Sequence, residues 1–375
     1  MQITRLWLLN FRSYEDLELP LELGLTAIIG PNGIGKTNVL EALGVLATLK
    51  SFRGSPTESL VRRGAETAIV RAEGIRDDRP VLIELELGRG RTRAQVNRQR
   101  LKRGRDLLGA LRVSVFAPDD LALIKEGPSI RRDYLDDAIV AIDPKADAMF
   151  REWDRILKQR NALLRQAQGT PPDRLDESTA VTLDVWDDKF TSVGTSIAEA
   201  RERLVKRLQP LLQDSYTRLA VSEAAPDAQH MVGARYVRSW ADDPLSAALA
   251  DARRGDLRRG VSTVGPHRDE LDITLNHLAS RTESSQGEQR TLALALRLAA
   301  HRLVAESIGE PPLLLLDDVL SELDVDRADA LLAHLPPGQT VITSATELPP
   351  TTNPDRVLRP VADSTLSTNT AASWS

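Results

Sequence analysis

The chain has 375 residues, 41% hydrophobic and 27% charged, with a formal net charge of −5 and no cysteine. That length exceeds what one compact core serves and suits two lobes, while the missing cysteines exclude disulfides and thiolate metal sites. The five histidines (His230, His267, His277, His301 and His334) show no pair at ligand spacing, which argues against a catalytic zinc. The small negative charge leaves any DNA contact to local basic surface.

The first hundred residues read as short strands and turns. Ile3 to Phe11, Leu25 to Ile29, Ala68 to Gly74 and Val81 to Leu87 are apolar or alternating runs bounded by Gly, Pro or charge. Arg91 to Arg100 reads as a further strand, and Val113 to Phe116 stops short of Pro118. A helix follows Gly35, with Val39, Leu40, Leu43, Leu46 and Leu49 at helical spacing. Charge soon follows the N-terminal apolar run (Arg12, Glu15, Asp16), and no stretch nears the roughly 18 apolar residues of a membrane helix. The expected location is cytoplasmic, with no membrane partner.

After Pro128 the period changes. Met149, Trp153, Ile156, Leu163 and Ala167 step by threes and fours, with Arg160 as the polar interruption, until Gly169 to Asp173 breaks the helix. Trp186, Phe190, Val193, Ile197, Ala200, Leu204, Leu208 and Leu211 form a second stripe, predicting an antiparallel helical hairpin. Strand-like segments return at Gly265 to Leu275, then a helix over Glu288 to Ile308. Leu313 to Leu316 reads as a fully buried parallel strand and Val341-Ile342 as another. From Pro349 onward Thr, Ser, Pro and Asn predict a disordered tail.

Gly30-Pro31-Asn32-Gly33-Ile34-Gly35-Lys36-Thr37 fits the phosphate-loop pattern. Glycines let backbone N–H groups wrap an anion, and the following helix points its positive end at the same place. Lys36 then reaches the β- and γ-phosphates of ATP, and the Thr37 hydroxyl ligates Mg²⁺. Two carboxylates ending a buried strand, Asp317 and Asp318, are costly unless a cation or water awaits them. Asp317 is expected to hold Mg²⁺ through its water shell, and Asp318 to polarise the attacking water.

Just upstream, Ser284 to Arg290 (SSQGEQR) opens an apolar helix, and Val319 to Asp324 follows the acidic strand. This order resembles the heads of ABC-type ATPases, whose signature and D-loop face the partner subunit's nucleotide. The resemblance gives Ser285 and Gly287 the partner's γ-phosphate and puts Asp324 in the D-loop. Small residues at a helix start can bind phosphate. The same residues also read as a plain helix cap with Glu288 in the first turn. One phosphate loop per chain means that the second half of such a sandwich comes from another copy.

Within this class the chain resembles the RecF family of SMC-like ATPases. The motifs are Leu9 to Tyr14, Gly30 to Leu43, Ser51-Phe52-Arg53, Phe116 to Leu121, Gly127-Pro128-Ser129 with Arg131 to Asp136, Gly265 to Asp269, Ser284 to Arg290 and Leu313 to Asp324. The resemblance implies an α/β fold: an ABC-type, SMC-like P-loop ATPase head (lobe I) with an inserted helical lobe II. Lobe I takes 1–125, lobe II 126–225 and the rest of lobe I 226–348, before a tail over 349–375. It further implies an ATP-dependent homodimer on DNA gaps or junctions that loads recombinase with RecR and RecO. Three features depart from the wider ABC pattern: SSQGE replaces LSGGQ, Asp318 replaces Glu, and no switch histidine follows Val341. They predict slow hydrolysis, with Ser344 or Thr346 in the histidine's place, and the family resemblance implies a weak, DNA-dependent ATPase whose main role is ATP-gated DNA binding.

Gly88 to Arg105 is dense in arginine and lacks acids and aromatics. Arg89, Arg91, Arg93, Arg98, Arg100, Lys102, Arg103 and Arg105 are candidate phosphate contacts, reading backbone charge and not bases. Arg253, Arg254, Arg258 and Arg259 form a smaller cluster, and His267 and Arg268 read as structural or interdomain before nucleotide- or DNA-contacting. The competing readings are an SMC-like head with another chromosome role, a transporter ATPase subunit, and a small-molecule kinase. The last leaves SSQGEQR unexplained, and the transporter lacks its LSGGQ and its histidine.

Overall fold

The computed structural model describes residues 1–88, 90–220, 230–240, 244–361 and 373–374. Two compact units emerge, Met1–Asp120 with Ser215–Ala228 and Thr291–Ser375, and Leu121–Asp214 with Gln229–Arg290.

In the first unit, β1 (Gln2–Phe11), β2 (Tyr14–Pro20), β4 (Thr67–Arg76), β5 (Arg79–Gly88), β6 (Arg91–Val96) and β7 (Gln99–Arg100) form an antiparallel sheet in the order β2-β1-β4-β5-β6-β7. A register shift between Ile3 and Arg5 lets Ile3, Leu6 and Leu8 all be buried despite their uneven spacing. The tight turns fall at Asp77-Asp78 and Asn97-Arg98, each with both residues at positive φ, as a two-residue hairpin turn requires. Arg91 to Arg100 is thus a hairpin and not one strand, because Asn97 and Arg98 reverse the chain.

The second sheet is parallel, in the order β14-β3-β13-β12-β8: β3 (Leu25–Ile29), β8 (Val113–Phe116), β12 (Leu313–Asp317), β13 (Thr340–Ser344) and β14 (Arg356–Leu358). Every residue of β12 is buried, as its unbroken leucines require of a strand covered on both faces. Helix α1 (Lys36–Thr48) packs Val39, Leu40 and Leu43 into one core with Leu6 and Leu8 of one sheet and Leu313, Leu315 and Val341 of the other. The expected tail begins inside the fold. β14 pairs with β3, and Asp355 accepts the Leu25 N–H at 2.7 Å. The rest of the tail, 362–372 and 375, lies outside the described residues.

The second unit holds α2 (Ala122–Lys125), α3 (Pro128–Ile142), α4 (Ala146–Gln166), most of α5 (Glu177–Leu219) and α6 (Leu245–Arg259), with β9 (Val232–Val237), β10 (Glu270–Leu275), β11 (Leu278–Ala279) and α7 (Ser280–Glu283). The expected hairpin of α4 and α5 is present, with Trp153 and Phe190 rings 4.5 Å apart. Arg160 is fully buried, bonded to Asp187 at 2.6 Å and Asp256 at 2.8 Å and lying over the Phe190 ring.

The sequence suggested one return to the first unit, at 226; the chain instead joins it over Ser215–Ala228, goes back to the second unit over Gln229–Arg290 and returns for good at Thr291. Charge pairing supplies the reason. Arg131 binds Glu270 through two bonds of 2.7 and 2.8 Å, and Arg132 donates to the Asp269 carbonyl. Arg201 binds both oxygens of Asp136 and the Pro266 carbonyl. The motif at Gly265 to Asp269 is therefore locked to α3 and α5. His267 bonds to the Ser262 carbonyl, and burial pushes its imidazole down to about 4.

Helix α8 (Gln286–Ile308) carries the chain from the second unit into the first, and α9 (Val325–Ala333) lies between β12 and β13 in sequence. No helix of the described residues is long and apolar enough to cross a membrane.

Candidate functional site

The C-terminal ends of β3, β12 and β13 lie side by side in the parallel sheet, and the phosphate-loop motif and both strand-end carboxylates sit there. In open α/β sheets this edge is where ligands bind. Gly30 N–H donates to the Ser344 carbonyl at 3.2 Å, tying the loop's first residue to β13. Gly33 and Gly35 take φ of 84° and 108°. A Cβ on Gly35 would stand 2.7 Å from the Tyr14 hydroxyl, so glycine is required there on two counts.

The Lys36 ammonium curls back over the loop, donating to the Gly30 carbonyl at 2.5 Å, the Pro31 carbonyl at 3.0 Å and, at 3.5 Å, to the Asn32 side chain. Burial pulls its pKa down, against the nearby charges of Asp318 and Asp317. A cation already wrapped by carbonyl oxygens can exchange them for phosphate oxygens with little rearrangement. Ile34 packs against the core beneath the loop.

Thr37 donates its hydroxyl to Asp317 at 2.9 Å. Thr343, on β13, donates to the same oxygen at 2.9 Å. Burial pushes the Asp317 carboxyl up, and the two hydroxyl bonds offset part of that. The next residue, Asp318, is left-handed at φ 49°, and its Oδ1 is buried with no hydrogen-bond partner. A buried acceptor of this kind wants a cation or water. One hydroxyl and one carboxylate suit a hard, hydrated divalent ion such as Mg²⁺, which keeps waters and takes few protein ligands.

A further cluster joins three of the sequence motifs. Arg12 holds both oxygens of the fully buried Glu41, at 2.7 and 2.6 Å, and its guanidinium also reaches Ser55 at 2.6 Å. Ser51 donates to Glu41 at 2.5 Å, Arg53 approaches it to 4.0 Å, and the Arg53 charge is felt at Asp317. Sequence reasoning singled out the segments carrying Arg12, Glu41 and Arg53 without joining them. A carboxylate inside the apolar stripe of α1 was the signal that could have done so.

At the start of α8, Ser285 and Glu288 form a reciprocal cap. The Ser285 N–H donates to Glu288 at 2.7 Å, and the Glu288 N–H donates to the Ser285 hydroxyl at 3.3 Å. The helix-cap reading therefore describes these side chains without a ligand, and Gly287 lies half-buried in the first turn that follows the exposed Ser285. Asp324 caps α9 by accepting the Arg327 N–H at 2.9 Å and pairs with the Arg327 guanidinium.

The arginine-rich hairpin is less cationic than its sequence. Strand pairing sets Arg93 against Glu86 at 3.0 Å, and Arg103 pairs with Asp106 at 2.9 Å. Acids absent from Gly88 to Arg105 are thus supplied by β5 and by the next turn. Arg98, Arg100, Lys102 and Arg105 are exposed, Arg91 lies on β6, and Arg89 is outside the described residues. In the second cluster, Arg253 is engaged by Asp184 and Asp187, while Arg254, Arg258 and Arg259 are exposed.

The two sheets around α1, the phosphate-loop geometry and the acidic strand define an ABC-type, SMC-like P-loop ATPase head. Residues 2–347 match the family described as RecF/RecN/SMC N terminal domain. The DNA replication and repair protein RecF of Streptomyces avermitilis is 44% identical over 352 residues, covering 92% of this chain and 93% of that protein. RecF of Frankia alni is 42% identical over 354 residues, covering 92% and 93%. Among solved structures, the recombination mediator protein RecF-ATPrS in the RecFOR pathway has a TM-score of 0.84 at 30% identity, covering 95% of each chain. An SMC head bound to the C-winged helix domain of ScpA has a TM-score of 0.57 at 16% identity, covering 100% of this chain and 97% of that one, a likeness of fold alone. The chain belongs to the RecF family of SMC-like ATPase heads.

Proposed function

We propose that this chain binds ATP with Mg²⁺ at the loop Gly30 to Thr37, and that two copies close on the nucleotide to hold DNA during replication and recombinational repair. The observation that carries the reading is the meeting of Lys36, Thr37, Asp317 and Asp318 at one edge of the parallel sheet. Lys36 exchanges its carbonyl partners for the β- and γ-phosphates, and backbone N–H groups of Gly33 to Thr37 cradle the same charge. Thr37 and Asp317 would hold the hydrated cation, whose charge would offset the negative charge of the phosphates. Asp318 orients the attacking water and takes its proton. A short Asp at this position and no histidine on β13 favour slow turnover, suited to a clamp that resets and not to a motor.

Pairing rests on Ser285, Gly287 and Asp324, which meet the nucleotide of the partner copy. Support comes from the single phosphate loop and from the exposure of Ser285 and Gln286 at the start of α8. DNA contact falls to the exposed bases of the β6–β7 hairpin, read as backbone charge. The RecF relatives and the RecFOR-pathway structure support RecR and RecO as partners, and the family resemblance adds the loading of recombinase at gaps or junctions between single and double strands.

The test is equilibrium ATP binding and dimer formation in two variants. Lys36→Arg loses ATP binding and pairing together. Ser285→Arg keeps ATP binding near the wild-type level but stays monomeric. A Ser285→Arg chain that still pairs with ATP would remove the signature from the interface.

A further inference from the structure

We propose that Thr343 is a positioning residue for hydrolysis, fixing through one hydroxyl both the metal-side carboxylate and the turn that aims Asp318. This rests on the reading of Asp317 and Asp318 given above. Thr343 is fully buried on β13, directly opposite Asp317 in the parallel register. Its hydroxyl donates to Asp317 Oδ1 at 2.9 Å and accepts the Asp318 backbone N–H at 2.9 Å. No other hydroxyl among the described residues touches both members of the acidic pair.

Geometry gives that double contact its consequence. Asp318 stands at φ 49° and ψ 28°, a left-handed conformation that costs most residues with a side chain energy and aspartate somewhat less, so the bonds to its peptide groups help decide whether it is kept. The Asp318 Oδ1 has no protein donor, so nothing at that atom steers the carboxylate. Its aim is set by the peptide groups on either side. Thr343 holds the N–H, while Ser321 holds the carbonyl through its hydroxyl at 2.7 Å and its N–H at 3.3 Å.

One residue further along β13, the Ser344 carbonyl accepts the Gly30 N–H. The end of β13 is therefore bonded to the phosphate loop and to the acidic pair at once. A movement of either is passed to the other through residues 343 and 344. The sequence suggested Ser344 or Thr346 in place of the missing histidine. In the nucleotide-free chain the Ser344 hydroxyl accepts the Thr346 N–H at 3.2 Å, and the contact with the acids is made by Thr343.

The experiment compares Thr343→Val, nearly isosteric without the hydroxyl, with Thr343→Ser, which keeps it. In the nucleotide-free chain, hydrogen exchange at the Asp318 amide rises at least about tenfold in Thr343→Val and stays near wild type in Thr343→Ser. With ATP, Thr343→Val lowers kcat by at least about tenfold while half-saturating ATP shifts by less than about threefold, and Thr343→Ser restores turnover. Unchanged exchange in Thr343→Val overturns the hold on the turn. Equal turnover in Thr343→Val and wild type, or equal damage in both variants, overturns the role in hydrolysis. A wild-type chain with no ATP turnover sinks the reading of Asp318 as a base, and with it this role. The exchange result then still decides whether Thr343 holds the turn.

Discussion

Replacing Arg160 with methionine tests how the second unit is held together. The side chain is fully buried, and its guanidinium binds Asp187 at 2.6 Å, Asp256 at 2.8 Å and the Ser262 hydroxyl at 2.7 Å. Methionine fills most of the volume, so the loss is electrostatic and not a cavity. Asp256, also fully buried, keeps only the Thr263 N–H and hydroxyl as donors among its described contacts. Removing one partner of a buried pair costs about 3–5 kcal/mol, because the remaining charge is left uncompensated. For a unit of this size that lowers Tm by roughly 10 °C. Calorimetry of Arg160→Met against wild type gives the number, and Arg160→Met with Asp256→Asn should recover part of the loss. A Tm within 2–3 °C (about 1 kcal/mol) of wild type would refute the reasoning.

Acid should destabilise the chain through two buried histidines. His267 and His301 are both pushed down to about 4 by burial, so each stays neutral in the folded state while an unfolded histidine takes a proton near 6.5. Their contribution is present above pH 6.5 and is lost as pH falls toward 4, by up to about 3 kcal/mol each. The slope of Tm against pH in that window measures it, and His301→Gln should flatten it. On the hairpin, Arg98→Ala, Arg100→Ala and Lys102→Ala together should reduce the salt dependence of DNA binding by about 2–3 in log–log slope, if each meets one phosphate. Arg93→Ala should change it little, because Glu86 already neutralises that side chain; an effect as large as that of the triple variant would count against this.

The parts of the head that could be read from sequence are those where one segment states its own constraint. Gly30 to Thr37 specifies its loop because only glycine tolerates φ of 84° and 108° there. Leu313 to Leu316 is apolar on both faces and can only be a covered strand. The features that were not legible are set by pairing between segments, near or far along the chain. Glu86 reaches Arg93 through strand register, and nothing within Gly88 to Arg105 announces it. Thr343 gains its place because β13 lies beside β12, a matter of sheet order. The place of Pro266 to Glu270 in the second unit goes with Arg131, Arg132 and Arg201 reaching residues 65 or more positions away. The polar stretch after Pro349 reads as a tail, because Arg356–Leu358 shows its strand character only beside β3.

The central claim is that ATP brings two copies of this chain together. Sedimentation equilibrium at micromolar protein, with and without ATP and Mg²⁺, tests it most directly. The account predicts a mass near 41.2 kDa without nucleotide and twice that with ATP, reversed by Ser285→Arg. A mass that stays at the monomer value while ATP is demonstrably bound would contradict it.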